Sequence, residues 1–452
     1  MTLSIALVVD ILLLLSSLWA ILQISERSIF NPSLWYVALH AYAVTFRLVL
    51  LNLGAEPGWI TGIRSDMELV NAAIASDISL LAVVAATGWA AHRASRVVDI
   101  GLRGSNPARL SPAIGTVIAI LCVTIGTYAA IKFGGVAMAA RERGIDVSAV
   151  DIGDFEMSSV PRIVAAFAVQ GALILCAMRG FTRWRVVLLL ALLALCAINL
   201  ARTFFVLPVL MAVLIYQTMH REHKLSAQWW VTLAALGVLW FVFKPIRQGI
   251  QKGEDPGKVW ANASAYFEDS LRNPSGDTQL LDLQATYMAA ADEAGKRFYG
   301  TTVLSVVYLP IPRFVWPDKP RLNDYAVELT SSSRALVREG LTPNLSGEAY
   351  LNFGWTGCAV IPFFYILGMQ MAYRRVRNQG IMSPARWVYL LFLVCMVQVF
   401  RDGLDALVLY PFVDYLPLFS WGLISMLLPA HRARGSHLKT LNVAQAVNRT
   451  SH

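Results

Sequence analysis

Two short stretches of this chain hold residue types that chemistry needs. The first is Gly347-Glu348-Ala349-Tyr350-Leu351-Asn352-Phe353-Gly354-Trp355-Thr356-Gly357, where one acid stands among aromatic side chains at the entrance to an apolar run. A carboxyl group in such surroundings is either tuned toward proton transfer or a helix-start acid favoured by the dipole. The second is Pro312-Arg313-Phe314-Val315-Trp316-Pro317-Asp318-Lys319-Pro320-Arg321, where three cations surround stiff prolines and a tryptophan. Proline restricts the backbone and so preorganises Arg313, Lys319 and Arg321. Arg202 and Arg401 are further cations at the ends of apolar runs, and Arg401 is followed by a pairing candidate, Asp402, and by Gly403. Guanidinium forks match phosphate oxygens two at a time, so this set suits a phosphate-bearing ligand.

The elements that must position these groups are membrane helices. The chain is 56% hydrophobic and only 15% charged, far below the roughly 25% of soluble domains. A span takes roughly 17–25 apolar residues. About eleven are expected, near 3–24, 33–53, 70–91, 112–132, 160–179, 186–200, 203–219, 227–244, 350–372, 385–400 and 406–428. The run from Arg185 to Gln217 reads as a tight pair of short helices with Arg202 at its tip. The expected organisation is residues 1–244 as the first eight spans and 245–349 as a long outer loop segment with short helices. Residues 350–430 then hold the last three spans, and 431–452 form a tail. The first apolar run reads as a retained span, because it lacks a basic flank and is too long for a signal segment.

The net charge of +9 is read as positive-inside bias in loops, not as nucleic-acid binding. The groups Arg93/Arg96/Arg103/Arg109, Arg179/Arg183/Arg185, His220/Arg221/Lys224, Arg374/Arg375/Arg377/Arg386 and Arg432/Arg434/Lys439 fall on one side if there are eleven spans. That puts the N-terminus outside and the C-terminus in the cytoplasm. Asp10, Arg47 and Asp77 then share one depth in the first three spans. They are expected as a buried Asp–Arg–Asp cluster, either clamping helices or placing an acid in a substrate cavity. His40 is expected as a polar core contact. The outer cations Lys132, Arg162, Arg202, Lys244, Arg247 and Arg401 either snorkel to lipid headgroups or line a cavity. The acids of the long outer segment, Asp282 and Asp292 among them, are expected to be solvated.

Several chemistries lack their motifs. There is no P-loop, no Gly-x-Gly-x-x-Gly after a strand, no His-Glu-x-x-His and no nucleophile elbow. The five cysteines lie in apolar runs, which argues against disulfides and a metal site. None of the seven histidines falls in the long outer segment, so acid–base work there rests on carboxylates or tyrosine.

Taken together, the Pro312–Arg321 and Gly347–Gly357 elements resemble those of the bacterial oligosaccharide repeat-unit polymerases, the Wzy-type O-antigen and exopolysaccharide polymerases. That family carries a proline-rich Pro-Arg…Trp/Phe-Pro-x-Lys-Pro element in a long periplasmic loop and a Glu-containing Asn-Phe-Gly element leading into the next span. Arg401-Asp402-Gly403 resembles, in reordered form, its late Arg-Gly-Asp-like step, and Arg202 in Asn199-Leu200-Ala201-Arg202 matches an earlier outer arginine. The resemblance covers residues 199–405. It implies an all-α polytopic glycosyltransferase of GT-C-like architecture in the bacterial inner membrane, multi-pass, with its site facing the periplasm. A growing glycan would pass from undecaprenyl diphosphate to a new lipid-linked repeat unit. Glu348 is then the base, with Arg202 and Arg401 on the diphosphate. Arg247, Arg313, Lys319 and Arg321 would bind diphosphate or acidic sugars, and Trp316, Tyr325 and Tyr350 would line the substrate site. Trp316 and Tyr325 equally suit packing at the membrane interface. No metal or other cofactor is expected. The expected partners are undecaprenyl-diphosphate-linked oligosaccharides, the lipid bilayer and a chain-length regulator, and no nucleic acid. An O-antigen ligase, which would want a loop histidine, and a lipid-linked oligosaccharide flippase, which would want shorter loops, are the alternatives.

Overall fold

The computed structural model describes residues 2–57, 63, 65–96, 109–142, 155–199, 203–220, 256–262, 264–265, 268, 279–308, 311, 316, 318, 329 and 343–427. Among these there is no strand, and the elements are helices throughout. Helices α1 (Leu3–Ile24), α2 (Pro32–Asn52), α3 (Asp66–Arg96), α4 (Pro112–Glu142), α5 (Phe155–Arg179), α6 (Arg183–Asn199) and α7 (Thr203–Met219) come first. Three short helices follow: α8 (Pro256–Ala261), α9 (Leu280–Glu293) and α10 (Thr301–Tyr308). The chain then forms α11 (Leu345–Val376), α12 (Pro384–Asp402), α13 (Ala406–Leu409) and α14 (Leu416–Leu427). Six helices among the described residues are long and apolar enough to cross a membrane: α1, α2, α3, α4, α11 and α12. A seventh span results if Ala406–Asp414 and Leu416–Leu427, bent by 86° against each other, are one broken span. This is a polytopic membrane architecture. The expected span at 227–244 lies outside the described residues.

The helices form where sequence supplies both an apolar run and a start signal. Thr2 caps α1 by accepting from Ile5 N–H, Asn31 caps α2 from Ser33 N–H, and Ser383 caps α12 from Arg386 N–H. Helix α1 leaves Val8, Leu12 and Trp19 exposed, as a lipid-facing helix must, and turns Asp10 inward. Helices α4 and α5 approach closely through small residues: a methyl group placed on Gly126 would lie 2.3 Å from the Ala168 nitrogen. Small residues let membrane helices meet backbone to backbone. Arg386, expected among the basic residues of one membrane side, is buried, with its guanidinium 4.0 Å from the centre of the Phe30 ring. Its charge is held against an aromatic face, not in water.

Helix α2 contains the feature that corrects the expected Asp10–Arg47–Asp77 cluster. Residues Ala41–Thr45 form a π turn between two α-helical halves. In an unbroken α-helix, residues seven apart point within about 20° of each other. The extra residue of a π turn moves them roughly 120° apart. So His40, not Arg47, faces the two acids, with Nε2 at 2.8 Å from Asp10 Oδ1 and 3.5 Å from Asp77 Oδ1. Arg47 turns to Asp282 on α9, donating from Nε at 3.1 Å and Nη2 at 2.7 Å to Oδ2. Asp282, expected to be solvated, is fully buried. It is one of nine consecutive buried residues of this helix, Leu280–Met288. Helix α9 is therefore enclosed by the bundle, because its one early charge has a fork partner and its amide has polar ones. Gln284 donates to the Ala72 carbonyl at 2.9 Å and accepts from Ser76 at 2.9 Å and Asn344 at 2.7 Å.

Candidate functional site

Helix α11 is two helices in one axis. Asn344 caps its start, accepting from Gly347 N–H at 2.8 Å. The first half ends at Phe353 and Gly354, whose backbone leaves helical values (φ −136°, ψ 17° and φ 62°, ψ −147°). The freed carbonyls are taken by the turn before α10. Phe298 N–H donates to the Leu351 carbonyl at 3.0 Å and Tyr299 N–H to that of Asn352 at 3.2 Å. The Asn352 side chain extends the join by accepting from Gly300 N–H at 2.8 Å. A helix end buried away from water needs such partners, so the Asn-Phe-Gly sequence and the 298–300 turn define each other.

Glu348 lies at the centre of this arrangement, 5% exposed. Its Oε1 accepts from the Thr302 hydroxyl at 2.7 Å, and its Oε2 accepts from Leu404 N–H at 2.6 Å. Thr302 in turn accepts from Asn352 Nδ2 at 2.6 Å, and the same amide donates to the Glu348 carbonyl at 2.8 Å. Three separate pieces of chain thus meet on one carboxylate: the first half of α11, the start of α10 and the turn after α12. The turn reaches it because Gly403 takes φ +88° and brings its backbone against the acid. A Cβ there would lie 2.2 Å from Glu348 Oε2, and φ in this region is costly for any L side chain. Gly403→Ala is expected to destabilise the fold by about 2–4 kcal/mol, from the φ penalty plus overpacking. An unchanged melting curve would show that the turn can retreat from the acid.

The neighbouring charges are set by this contact. Asp405 has its carboxyl pushed up to about 8, first by burial and then by the negative charge of Glu348. Below that pH it keeps its proton and adds no second negative charge beside Glu348. Arg401, about one-third exposed, has Nε 3.5 Å from Asp402 Oδ1, the pairing expected from sequence. Asp402 also accepts from the Tyr410 hydroxyl at 3.0 Å.

Tyr350 faces away from the Glu348 carboxylate. It is buried, and its hydroxyl donates to Asp292 at 2.9 Å. The Arg297 guanidinium pairs with Asp292 at 2.5 Å and lies 4.9 Å from the centre of the Tyr350 ring. Trp355 meets the same ring edge-on at 5.2 Å. Asp292, expected to be solvated, is half-exposed and bound on two sides. Trp316 is partly exposed and meets Tyr308 edge-on at 6.0 Å. Arg202, Arg247, Arg313, Lys319, Arg321 and Tyr325 lie outside the described residues.

Structure therefore joins Glu348 to Gly403 and Leu404, which are 55 and 56 positions away in sequence, directly after the Arg401-Asp402 step. Sequence reading missed Thr302, Asn352 and Asp405. Asn352 carried a signal, since it lies four residues after Glu348 on the same helix face. Thr302 and Asp405 carried none, because their roles depend on contacts between distant segments. No protein-family model, curated protein or solved structure matches this chain.

Proposed function

We propose that this chain is a membrane-embedded glycosyltransferase of the oligosaccharide repeat-unit polymerase type. In this reading it has eleven spans, a GT-C-like arrangement, an outward N-terminus and a periplasmic site in a bacterial inner membrane. The observation that supports it is the hydrogen bond from Leu404 N–H to Glu348, which sets the acid against the turn that directly follows the helix end bearing Arg401. In this reading the acid and the cation of that neighbouring helix end serve one reaction, which needs both a base and a leaving-group clamp.

The acceptor sugar's hydroxyl gives its proton to Glu348. Its oxygen forms a bond to the anomeric carbon of the donor glycan as the bond to undecaprenyl diphosphate breaks. The electron pair leaves with the diphosphate, whose growing charge is met by Arg202 and Arg401 in place of a metal. Each carboxylate oxygen of Glu348 accepts one hydrogen bond from protein and retains capacity for another. Asp405 next to it keeps a proton at neutral pH and so does not compete for the acceptor's. Phe353 and Trp355, half-exposed at the break in α11, offer faces for sugar rings. Arg247, Arg313, Lys319 and Arg321, with Trp316 and Tyr325, complete the substrate-binding set, and a chain-length regulator is the partner protein.

The test is purified protein with lipid-linked repeat units, read as a ladder on a gel. A ladder supports the reading. Transfer of a single glycan to a lipid A-type acceptor with no ladder would favour a ligase, and transport across a liposome without new glycosidic bonds a flippase. Arg401→Ala and Arg202→Ala should each weaken lipid diphosphate binding about 10- to 100-fold, the worth of a charged hydrogen bond. Unchanged binding in both would remove the leaving-group role.

A further inference from the structure

Asp10, His40 and Asp77 form a second constellation, inside the helix bundle and separate from Glu348. Their three facing atoms lie within 4.8 Å of one another, and all three side chains are at least nine-tenths buried. Each comes from a different helix: α1, the end of the first half of α2, and α3. Three oxygens here, Asp10 Oδ2, Asp77 Oδ1 and the hydroxyl of Thr45 on the π turn, are buried and reach one another or His40 without forming a well-placed hydrogen bond. Buried polar atoms without well-placed hydrogen bonds are expensive, and three oxygens in one place call for a further partner. Arg47 is not that partner, since the π turn directs it to Asp282.

We propose that Asp10, His40 and Asp77 bind one first-row divalent cation that ties the first three helices together. Two carboxylates and a neutral imidazole carry a charge of minus two, which one such ion cancels. A neutral cluster is what a low-dielectric interior requires. Imidazole with carboxylate suits Zn²⁺ and its neighbours, whereas Mg²⁺ and Ca²⁺ prefer all-oxygen shells. A four-coordinate zinc with ligands at about 2.0–2.1 Å holds them about 3.3 Å apart. The spacings of 2.8 Å and 3.5 Å from His40 Nε2 lie on either side of that value, and the two carboxylates have ligand oxygens within 4.8 Å of each other, close enough to draw in on one ion. Thr45 stands on the π turn as a further oxygen, and π turns inside α-helices recur at such sites. The ion is structural and takes no part in the chemistry proposed for Glu348.

The test uses the full-length chain without an affinity tag, stripped with a chelator in detergent. It is then titrated separately with Zn²⁺, Mn²⁺ and Co²⁺, and bound metal is counted by mass spectrometry after desalting. About one ion per chain is expected with at least one of the three, along with a higher melting temperature. Asp77→Asn and His40→Gln should each weaken that binding at least tenfold while their metal-free melting curves stay cooperative. Should those variants not fold, X-ray absorption of the zinc-loaded wild type decides, with oxygen-rich coordination including one imidazole expected and a shell lacking imidazole overturning the proposal. Failure of all three ions to bind wild type overturns it as well, and the cluster then holds protons alone. Equal binding by both variants has the same force, since the ion would then sit elsewhere.

Discussion

Replacing Arg47 by Met will cost the fold about 3–5 kcal/mol, the largest single loss expected outside the polymerase reading. The reason is what the substitution leaves behind. Asp282 is fully buried on α9 and receives a two-pronged guanidinium, with donors at 2.7 Å and 3.1 Å. Without Arg47 its charge has lost that fork inside the bundle. The Glu56 carbonyl, which Arg47 Nη2 reaches at 2.7 Å, loses a donor as well. Unfolding in mixed detergent micelles, followed by loss of helical signal, measures the effect. The double variant Arg47→Met/Asp282→Leu should recover most of it, because two apolar groups leave no buried charge. Equal losses in the single and double variants would show that the pair contributes shape and not charge balance. Because α9 also holds Asn344 through Gln284, the single variant should loosen the start of α11. Faster hydrogen exchange at Gly347 and Glu348 is the accompanying readout.

Glu348→Gln is expected to abolish chain extension, by at least about 100-fold, while the protein stays folded. A general base typically contributes 10²- to 10⁴-fold. The neighbourhood accommodates the amide. Its oxygen can continue to accept from Leu404 N–H, and its NH₂ can donate to Thr302, whose hydroxyl proton then turns elsewhere. The exchange therefore removes charge and basicity at a small structural cost, where Glu348→Ala would also orphan Leu404 N–H and the Thr302 hydroxyl. The measurement is the polymer ladder with purified variant, alongside its melting curve. A normal ladder with Gln at this position would sink the base assignment. A lost ladder together with a collapsed melting curve would instead assign Glu348 to holding α10, α11 and the Gly403 turn together. Thr302→Val serves as a control, since it removes one hydrogen bond to the acid and leaves the carboxylate in place.

Much of this was legible before any coordinates. Apolar runs of span length announce helices, because only an internally bonded backbone is stable in hydrocarbon. The long helices α1 to α4, α11 and α12 cover the expected runs near 3–24, 33–53, 70–91, 112–132, 350–372 and 385–400. In the run from Arg185 to Gln217, expected as a pair of short helices, the described residues form α6 up to Asn199 and α7 from Thr203. Glu348 stood out by its aromatic surroundings, and the pairing of Arg401 with Asp402 by adjacency. The failures were of a different kind. Counting depth along regular helices put Arg47 between Asp10 and Asp77, and a π turn that local composition does not announce rotated it away. Loop acids were read as solvated, yet Asp282 lies within a helix drawn into the bundle by a partner 235 positions earlier.

By itself, the sequence determined the class of protein and the helices that build it, since burial in lipid is decided by composition and run length within one segment. It also singled out the acid and the cations, whose residue types stand out against an apolar background. Only the tertiary structure decided which of them meet. The Glu348 carboxylate is joined by Thr302 and Leu404 because a broken helix, a short helix and a glycine turn converge there. Asp10 and Asp77 hold His40 because one extra residue in a π turn resets the face of α2. Contacts between segments tens to hundreds of residues apart leave no periodic trace in the chain, and a change of helical register by a single residue leaves none either.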